Sequence, residues 1–254
     1  MSTVIAYYSG TGNTLSAAEH FNAETLIDMT KVLEGTESLP DDIERLGIFS
    51  PVYYGGLPLP VREFIGNVLS ERDNSDIQYV FTVLTRGGNG RTAERIMERE
   101  LEKAGLNLSY SASVMYPDWY LPLMKGKISK EKNDALIKDA EKKLEEIKAE
   151  TDEEKISLPP FSPFYRFVDF FSRKAGKPKK EKNITVTEKC TLCGLCSRIC
   201  PAGNIEIENG KAVHRDGCLR CYGCTLVCPE GAVEYKGETI TCPLSVEKEK
   251  LLKR

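Results

Sequence analysis

Residues 3–14 read TVIAYYSGTGNT. Thr3 to Tyr8 is a β-branched and aromatic run, and a glycine-rich turn separates it from a helical stretch that continues from about Gly12 to Asn22. This predicts a strand, a loop and a helix. Working outward, strands are predicted at 24–29, 44–50, 77–84 and about 108–114, with helices near 58–70 and 89–104 between them. Strands that alternate with helices need right-handed crossovers, so the expected fold is α/β, with a doubly wound, five-stranded parallel sheet covered on both faces. A further helix is predicted over 129–150, where Leu136, Ala140, Leu144 and Ile147 share one stripe and Ser129 can cap the start. It closes a first domain at 1–150, and its charge run is the solvated face.

The turn holds Ser9, Gly10, Thr11, Gly12, Asn13 and Thr14. A phosphate placed there meets unpaired backbone N–H groups at the positive end of a helix, and the hydroxyls of Ser9, Thr11 and Thr14 add donors. Small residues let the backbone come close. No lysine or arginine is present, so the segment is not a P-loop, and Leu15 breaks a G-x-G-x-x-G reading. An ordinary strand–helix turn has no need of so many hydroxyls and glycines. Two more loops follow predicted strands: Ser50, Pro51, Val52, Tyr53, Tyr54, Gly55 and Gly56, then Thr85, Arg86, Gly87, Gly88, Asn89 and Gly90.

These loops and the order of elements resemble the flavodoxins over about 1–150. The resemblance implies FMN, with its phosphate on the 9–14 loop and its isoalloxazine flanked by the other two loops at the carboxyl ends of the strands. Tyr53 or Tyr54 is then placed to stack on the ring, and the glycines to offer backbone groups to its N5 and pyrimidine edge. Arg86 and Arg91 stand where that family gathers acidic residues. Their charge argues against the very low potential typical of flavodoxins. Trp119, in YPDWYLP, is read as a packing residue, and His20 and His214 as ordinary.

The chain contains 9 cysteines, and all of them fall after residue 189. Such crowding, without an export signal at the start, argues for metal rather than a disulfide framework. Cys190, Cys193, Cys196, Cys200 and Pro201 repeat the spacing of Cys218, Cys221, Cys224, Cys228 and Pro229. Each run reads C-x2-C-x2-C-x3-C-P, in which three closely spaced thiolates wrap one cubane cluster and the fourth ligand must come from elsewhere. In the bacterial two-cluster ferredoxins that this pattern resembles it comes from the other run, which implies Cys190, Cys193, Cys196 and Cys228 for one [4Fe-4S] cluster, and Cys218, Cys221, Cys224 and Cys200 for the second. A zinc site needs paired ligands and leaves the third cysteine and the C-P unexplained. The runs, with PAGNIEIENG (201–210) and PEGAVEYKG (229–237) after them, closely resemble the bacterial two-cluster ferredoxins. That resemblance implies a small α+β domain at 184–242 that transfers single electrons at low potential. Cys242 lies outside both runs and is read as structural, followed by a charged tail at 243–254.

Residues 151–183 are rich in proline, aromatics and lysine and read as a linker. Within it Phe164, Phe167, Val168 and Phe171 form a helical apolar stripe beside Arg166, Arg173 and Lys174, expected to pack between the domains rather than on a membrane. At 254 residues the chain suits one α/β domain plus a small second one, and its formal charge of −3 points to no nucleic-acid or membrane-surface partner. The start has no basic and apolar leader and no run is long enough to span a bilayer, so a cytoplasmic protein is expected. The whole resembles fused flavodoxin–ferredoxin proteins of anaerobes, which implies an electron carrier between redox protein partners. The first domain, with its own core and no cysteine, is expected to bind FMN by itself. An FMN-dependent reductase of a quinone, nitro compound or flavin is the alternative, and a scaffold that has lost FMN is a third. No nicotinamide fingerprint is visible. Donor, acceptor, direction of flow and oligomeric state stay open.

Overall fold

The computed structural model describes residues 2–88, 90–118, 120 and 130–240. The expectations for Asn89, Trp119, Ser129, Cys242 and the tail at 243–254 lie outside these residues. Strand β1 (Thr3–Tyr7) lies between β2 (Thr25–Asp28) and β3 (Arg45–Pro51), and β4 (Tyr79–Arg86) and β5 (Tyr110–Met115) extend the sheet. The order is β2-β1-β3-β4-β5, and every pairing is parallel. This is the flavodoxin-like order, in which the winding reverses between β1 and β3. A sheet covered on both faces asks for continuous apolar strands, and Val4 to Tyr7 and Leu46 to Phe49 are indeed buried without alternation.

Helices α1 (Asn13–His20), α2 (Met29–Leu33), α3 (Leu59–Glu63, continuing as a π-helical stretch Phe64–Leu69), α4 (Thr92–Lys103) and α5 (Lys130–Asp152) cover the two faces. One core gathers Ile48, Phe64 and Met97, and the other gathers Phe21, Phe49 and Phe81 with Ala140, Leu144 and Ile147 of α5. The short α2 was not foreseen. Asp28 starts it by accepting from the Thr30 N–H at 2.9 Å, a local cap that leaves little trace in hydrophobic periodicity.

The segment after α5 folds back onto the first domain. Ser157 bridges to Tyr110 in parallel beside β5. Helix α6 (Tyr165–Gly176) packs on α4, with Asp169 paired to the buried Arg62 at 2.7 Å and Arg173 to Glu100 at 2.7 Å. Tyr165 and Val168 turn to the core, whereas Phe164, Phe167 and Phe171 are exposed. The expected packing of that stripe between the domains therefore fails. The polar side of the helix faces inward because Arg62 offers Asp169 and Ser172 a buried partner.

The C-terminal part consists of β6 (Ile184–Val186), α7 (Leu195–Arg198), β7 (Ile205–Glu208), β8 (Lys211–His214), α8 (Gly223–Val227), β9 (Val233–Tyr235) and β10 (Glu238–Thr239), in small antiparallel sheets. Its seam with the first domain is apolar. Leu219 belongs to one core of the first domain, and Ile199 and Val227 to the other. Burying a side chain of this size contributes roughly 1.5–3 kcal/mol, so the two parts are docked rather than tethered.

Candidate functional site

At the carboxyl ends of β1, β3, β4 and β5 lies a cleft of about 340 Å³. It is lined by Gly10, Thr11, Asn13 and Thr14 from the first loop, Pro51, Val52, Tyr53, Tyr54 and Gly55 from the second, and Thr85, Arg86, Gly87 and Gly88 from the third. Ser9 and Gly12 stand behind this wall. The Ser9 hydroxyl accepts from the Gly12 N–H at 3.1 Å, and Gly12 caps α1 with a φ of 99°, a left-handed conformation suited to glycine. The Thr14 hydroxyl shares a hydrogen bond of 2.8 Å with that of Thr85, which ties the first loop to the third. Asn13 donates to the Pro117 carbonyl at 3.0 Å.

The second loop is a tight turn in which Tyr53 and Gly56 exchange backbone hydrogen bonds of 2.9 Å. Tyr54, with a φ of 55°, and Gly55, with a φ of 78°, are its left-handed central residues. A tyrosine in that region costs on the order of 1 kcal/mol, and Tyr54 lines the cleft. Arg86 is held by Ser113 at 3.0 Å and by the Gly88 carbonyl at 2.6 Å, so its charge is fixed at the mouth of the third loop.

The rest of the wall was not anticipated. Tyr116, Pro117, Asp118 and Tyr120 come from the segment after β5, and Arg220, Cys221 and Tyr222 from the second cysteine run. Arg220 is 6% exposed. Its Nε donates to the Tyr54 hydroxyl at 2.7 Å, Nη2 donates to the Ala175 carbonyl, and Nη1 is buried without a partner among the described residues. The cleft thus contains a buried cation with donor capacity to spare. Burial pushes the Tyr54 phenol up to about 12 against the opposing pull of Arg220, so it keeps its proton at neutral pH. Edge-to-face ring contacts run from Tyr54 to Tyr120 at 5.5 Å, to Tyr222 at 6.0 Å and to Tyr235 at 5.4 Å. The sequence holds one faint signal for this wall, a tyrosine following the middle cysteine where the first run has Gly194.

Two glycines set the closeness of the seam. A Cβ on Gly10 would lie 2.4 Å from the Tyr53 hydroxyl and 2.6 Å from Cys221 Cβ, and one on Gly223 would lie 2.3 Å from the Gly10 carbonyl oxygen. The first loop and the second cysteine run therefore touch backbone to backbone.

The cysteines fall into two cavities. Cys190, Cys193, Cys196 and Cys228 line one, and Cys200, Cys218, Cys221 and Cys224 line the other. All eight are free thiols, and among the described residues no three His, Cys, Asp or Glu side chains close on a point fit for a single metal ion. The halves repeat each other in detail. Leu192 and Gly194 are left-handed in the first run, as Arg220 and Tyr222 are in the second. The Asn204 N–H donates to Cys200 Sγ at 3.3 Å, and the Ala232 N–H to Cys228 Sγ at 3.2 Å. Burial pushes the Cys196, Cys218 and Cys224 thiols up, Cys224 furthest, so thiolates there need a positive partner. His214, read from sequence as ordinary, lines the second cavity with a buried Nε2 that has no partner among the described residues. Burial holds its imidazole below the ordinary value, hence neutral.

Residues 189–233 match the 4Fe-4S dicluster domain family. The chain joins a flavodoxin-like domain to a 4Fe-4S dicluster domain. No curated protein matches it. Similar solved structures include a flavoprotein in complex with FMN from Lactobacillus acidophilus, at 18% identity over 44% of this chain and 92% of that one, with a TM-score of 0.33. Another is an NAD(P)H:quinone oxidoreductase from Methanothermobacter marburgensis, at 10% identity over 59% and 95%, with a TM-score of 0.39. A third is an FMN-dependent NADH-azoreductase from Bacillus anthracis, at 13% identity over 59% and 99%, with a TM-score of 0.36. At these scores the likenesses add nothing to the sheet order itself. In this flavodoxin-like and dicluster fusion, the cavity of Cys221 and the cleft share one wall. No described helix is long and apolar enough to cross a membrane.

Proposed function

We propose that the chain is an electron-transfer flavo-iron-sulfur protein, with FMN in the cleft and two [4Fe-4S] clusters relaying electrons between it and redox protein partners. The observation that carries this reading is Cys221, which lines both the second cysteine cavity and the cleft. When bound, FMN exchanges one or two electrons and each cluster exchanges one.

The residues present fit these groups. Thr11, Thr14 and the backbone at the start of α1 suit a phosphate. Tyr54 and the glycines of the third loop suit the ring, and the buried Arg220 offers a positive field where negative charge accumulates. Cys190, Cys193, Cys196 and Cys228 suit one cubane, and Cys200, Cys218, Cys221 and Cys224 the other. Cys193 is exposed, so the first cavity opens toward solvent and an external partner.

Protein purified anaerobically is expected to hold about eight irons and to release FMN on denaturation. Internal reduction of the flavin is expected at a rate independent of protein concentration. A rate that rises in proportion to protein, or FAD in place of FMN, sinks the reading. Thr11→Val together with Thr14→Val removes two hydroxyl donors and the tie to Thr85. At roughly 1.5 kcal/mol per hydrogen bond to a charged group, FMN affinity is expected to fall about a hundredfold in fluorescence titrations. Cys242→Ser is expected to keep the full iron content of about eight. Loss of half on iron analysis makes Cys242 a ligand.

A further inference from the structure

Helix α6 carries an apolar surface that the packing of the described residues leaves uncovered. Phe164 is 72% exposed, Phe167 65%, Phe170 64% and Phe171 49%, and Phe161 just before the helix is 82% exposed. The rings form a cluster, with centroids 4.5 Å apart for Phe167 and Phe171 and 5.4 Å for Phe170 and Phe171. The exposure is not the looseness of a free helix. Asp169, Ser172 and Arg173 on the opposite side are bonded to Arg62 and Glu100, and Val168 packs on the core. A rigid base therefore pushes an apolar ridge outward, and contiguous apolar patches on a monomer mark an interaction surface.

The charge beside the ridge narrows the partner. Arg173, Lys174, Lys177, Lys179, Lys180 and Lys182 follow within one short stretch against the single acid Glu181, and Arg166 adds to them from the helix. Arg166, Lys174, Lys177, Lys179 and Lys182 are exposed and make no ion pair among the described residues. This cationic concentration stands on a chain whose formal charge is −3. Phenylalanines that project from a short helix, bordered by lysines at its end, match an interface that is apolar just below an anionic surface. A protein groove asks for shaped anchors with polar partners, whereas this ridge offers apolar rings beside several exposed cations that make no ion pair among the described residues. At 12 residues, α6 can lie in such an interface and cannot span it.

We propose that the α6 ridge docks the protein onto an anionic phospholipid surface, with the phenylalanine rings entering the headgroup boundary and the basic stretch facing the lipid phosphates. The test is flotation of the full holoprotein with vesicles of phosphatidylglycerol and phosphatidylcholine, against vesicles of phosphatidylcholine alone. Wild type is expected to float with the anionic vesicles, far less with the neutral ones, and less as salt rises. Phe167→Ser with Phe170→Ser, and separately Lys174→Glu with Lys177→Glu, are each expected to lower the bound fraction at least tenfold while the visible absorption spectrum stays unchanged. Wild type that ignores anionic vesicles overturns the proposal, as do variants that float like wild type. So does a wild-type dimer in sedimentation that both variants dissociate, because the ridge then belongs to a second copy of the chain.

Discussion

Gly223→Ala is expected to loosen the seam between the domains and weaken FMN binding roughly ten- to a hundredfold while leaving every cysteine in place. The added methyl would lie 2.3 Å from the Gly10 carbonyl oxygen and 3.1 Å from Ile199 Cδ1. The first of these is backbone, and it cannot swing aside as a flexible side chain can. Either the first loop or the second cysteine run must shift, and overpacking of this kind costs about 1–3 kcal/mol. That strain falls on the FMN site because the Gly10 carbonyl belongs to the loop proposed to hold the phosphate, which converts to the affinity loss stated. Iron content is expected to hold. Fluorescence titration of the flavin-free protein, alongside iron analysis, measures both quantities on one preparation. Unchanged FMN affinity, with an internal flavin-reduction rate equal to wild type, means that the contact through Gly10 carries no role.

The parallel sheet was legible because its strands are short β-branched and aromatic runs and its longer helices show a local period, α2 excepted. Residues 3–14 alone fix a strand, a turn and a helix start. Eight cysteines at a strict spacing made the C-terminal domain equally plain. The seam could not be read in the same way, since it depends on residues whose meaning is tertiary. Gly10 and Gly223 are small because each faces the other's loop, and nothing in either local pattern says so. Arg220 and Tyr222 look like fillers between cysteines, yet left-handed backbone at both, with φ of 56° and 60°, accompanies their place in the cleft wall. Helix α6 misleads for a related reason. Amphipathicity assigns the apolar face inward, but a buried arginine from α3 reverses it by pairing with Asp169.

Cys200→Ser tests the relay itself, because this cysteine ends the first run while it lines the cavity of the second. The variant is expected to lose roughly half of the iron, that of the cluster shared with Cys218, Cys221 and Cys224. The sequence alone suggests that FMN binding is untouched, since the first domain has its own core and no cysteine. The cleft argues for the opposite outcome: Arg220, Cys221 and Tyr222 line it, so a loosened cysteine loop is expected to weaken the proposed flavin site as well. Saturating FMN in both samples separates weakened binding from lost electron transfer. Stopped-flow mixing with a low-potential donor ferredoxin, following flavin and cluster absorbance separately, is expected to give rapid flavin reduction in wild type and almost none in the variant. The exposed Cys193 side is where the donor is expected to dock, and the altered cavity shares Cys221 with the cleft. If the flavin of the variant, at full occupancy, is reduced as fast as that of wild type, the donor reaches the cleft directly. The second cysteine cavity is then a neighbour of the flavin site and no part of its supply.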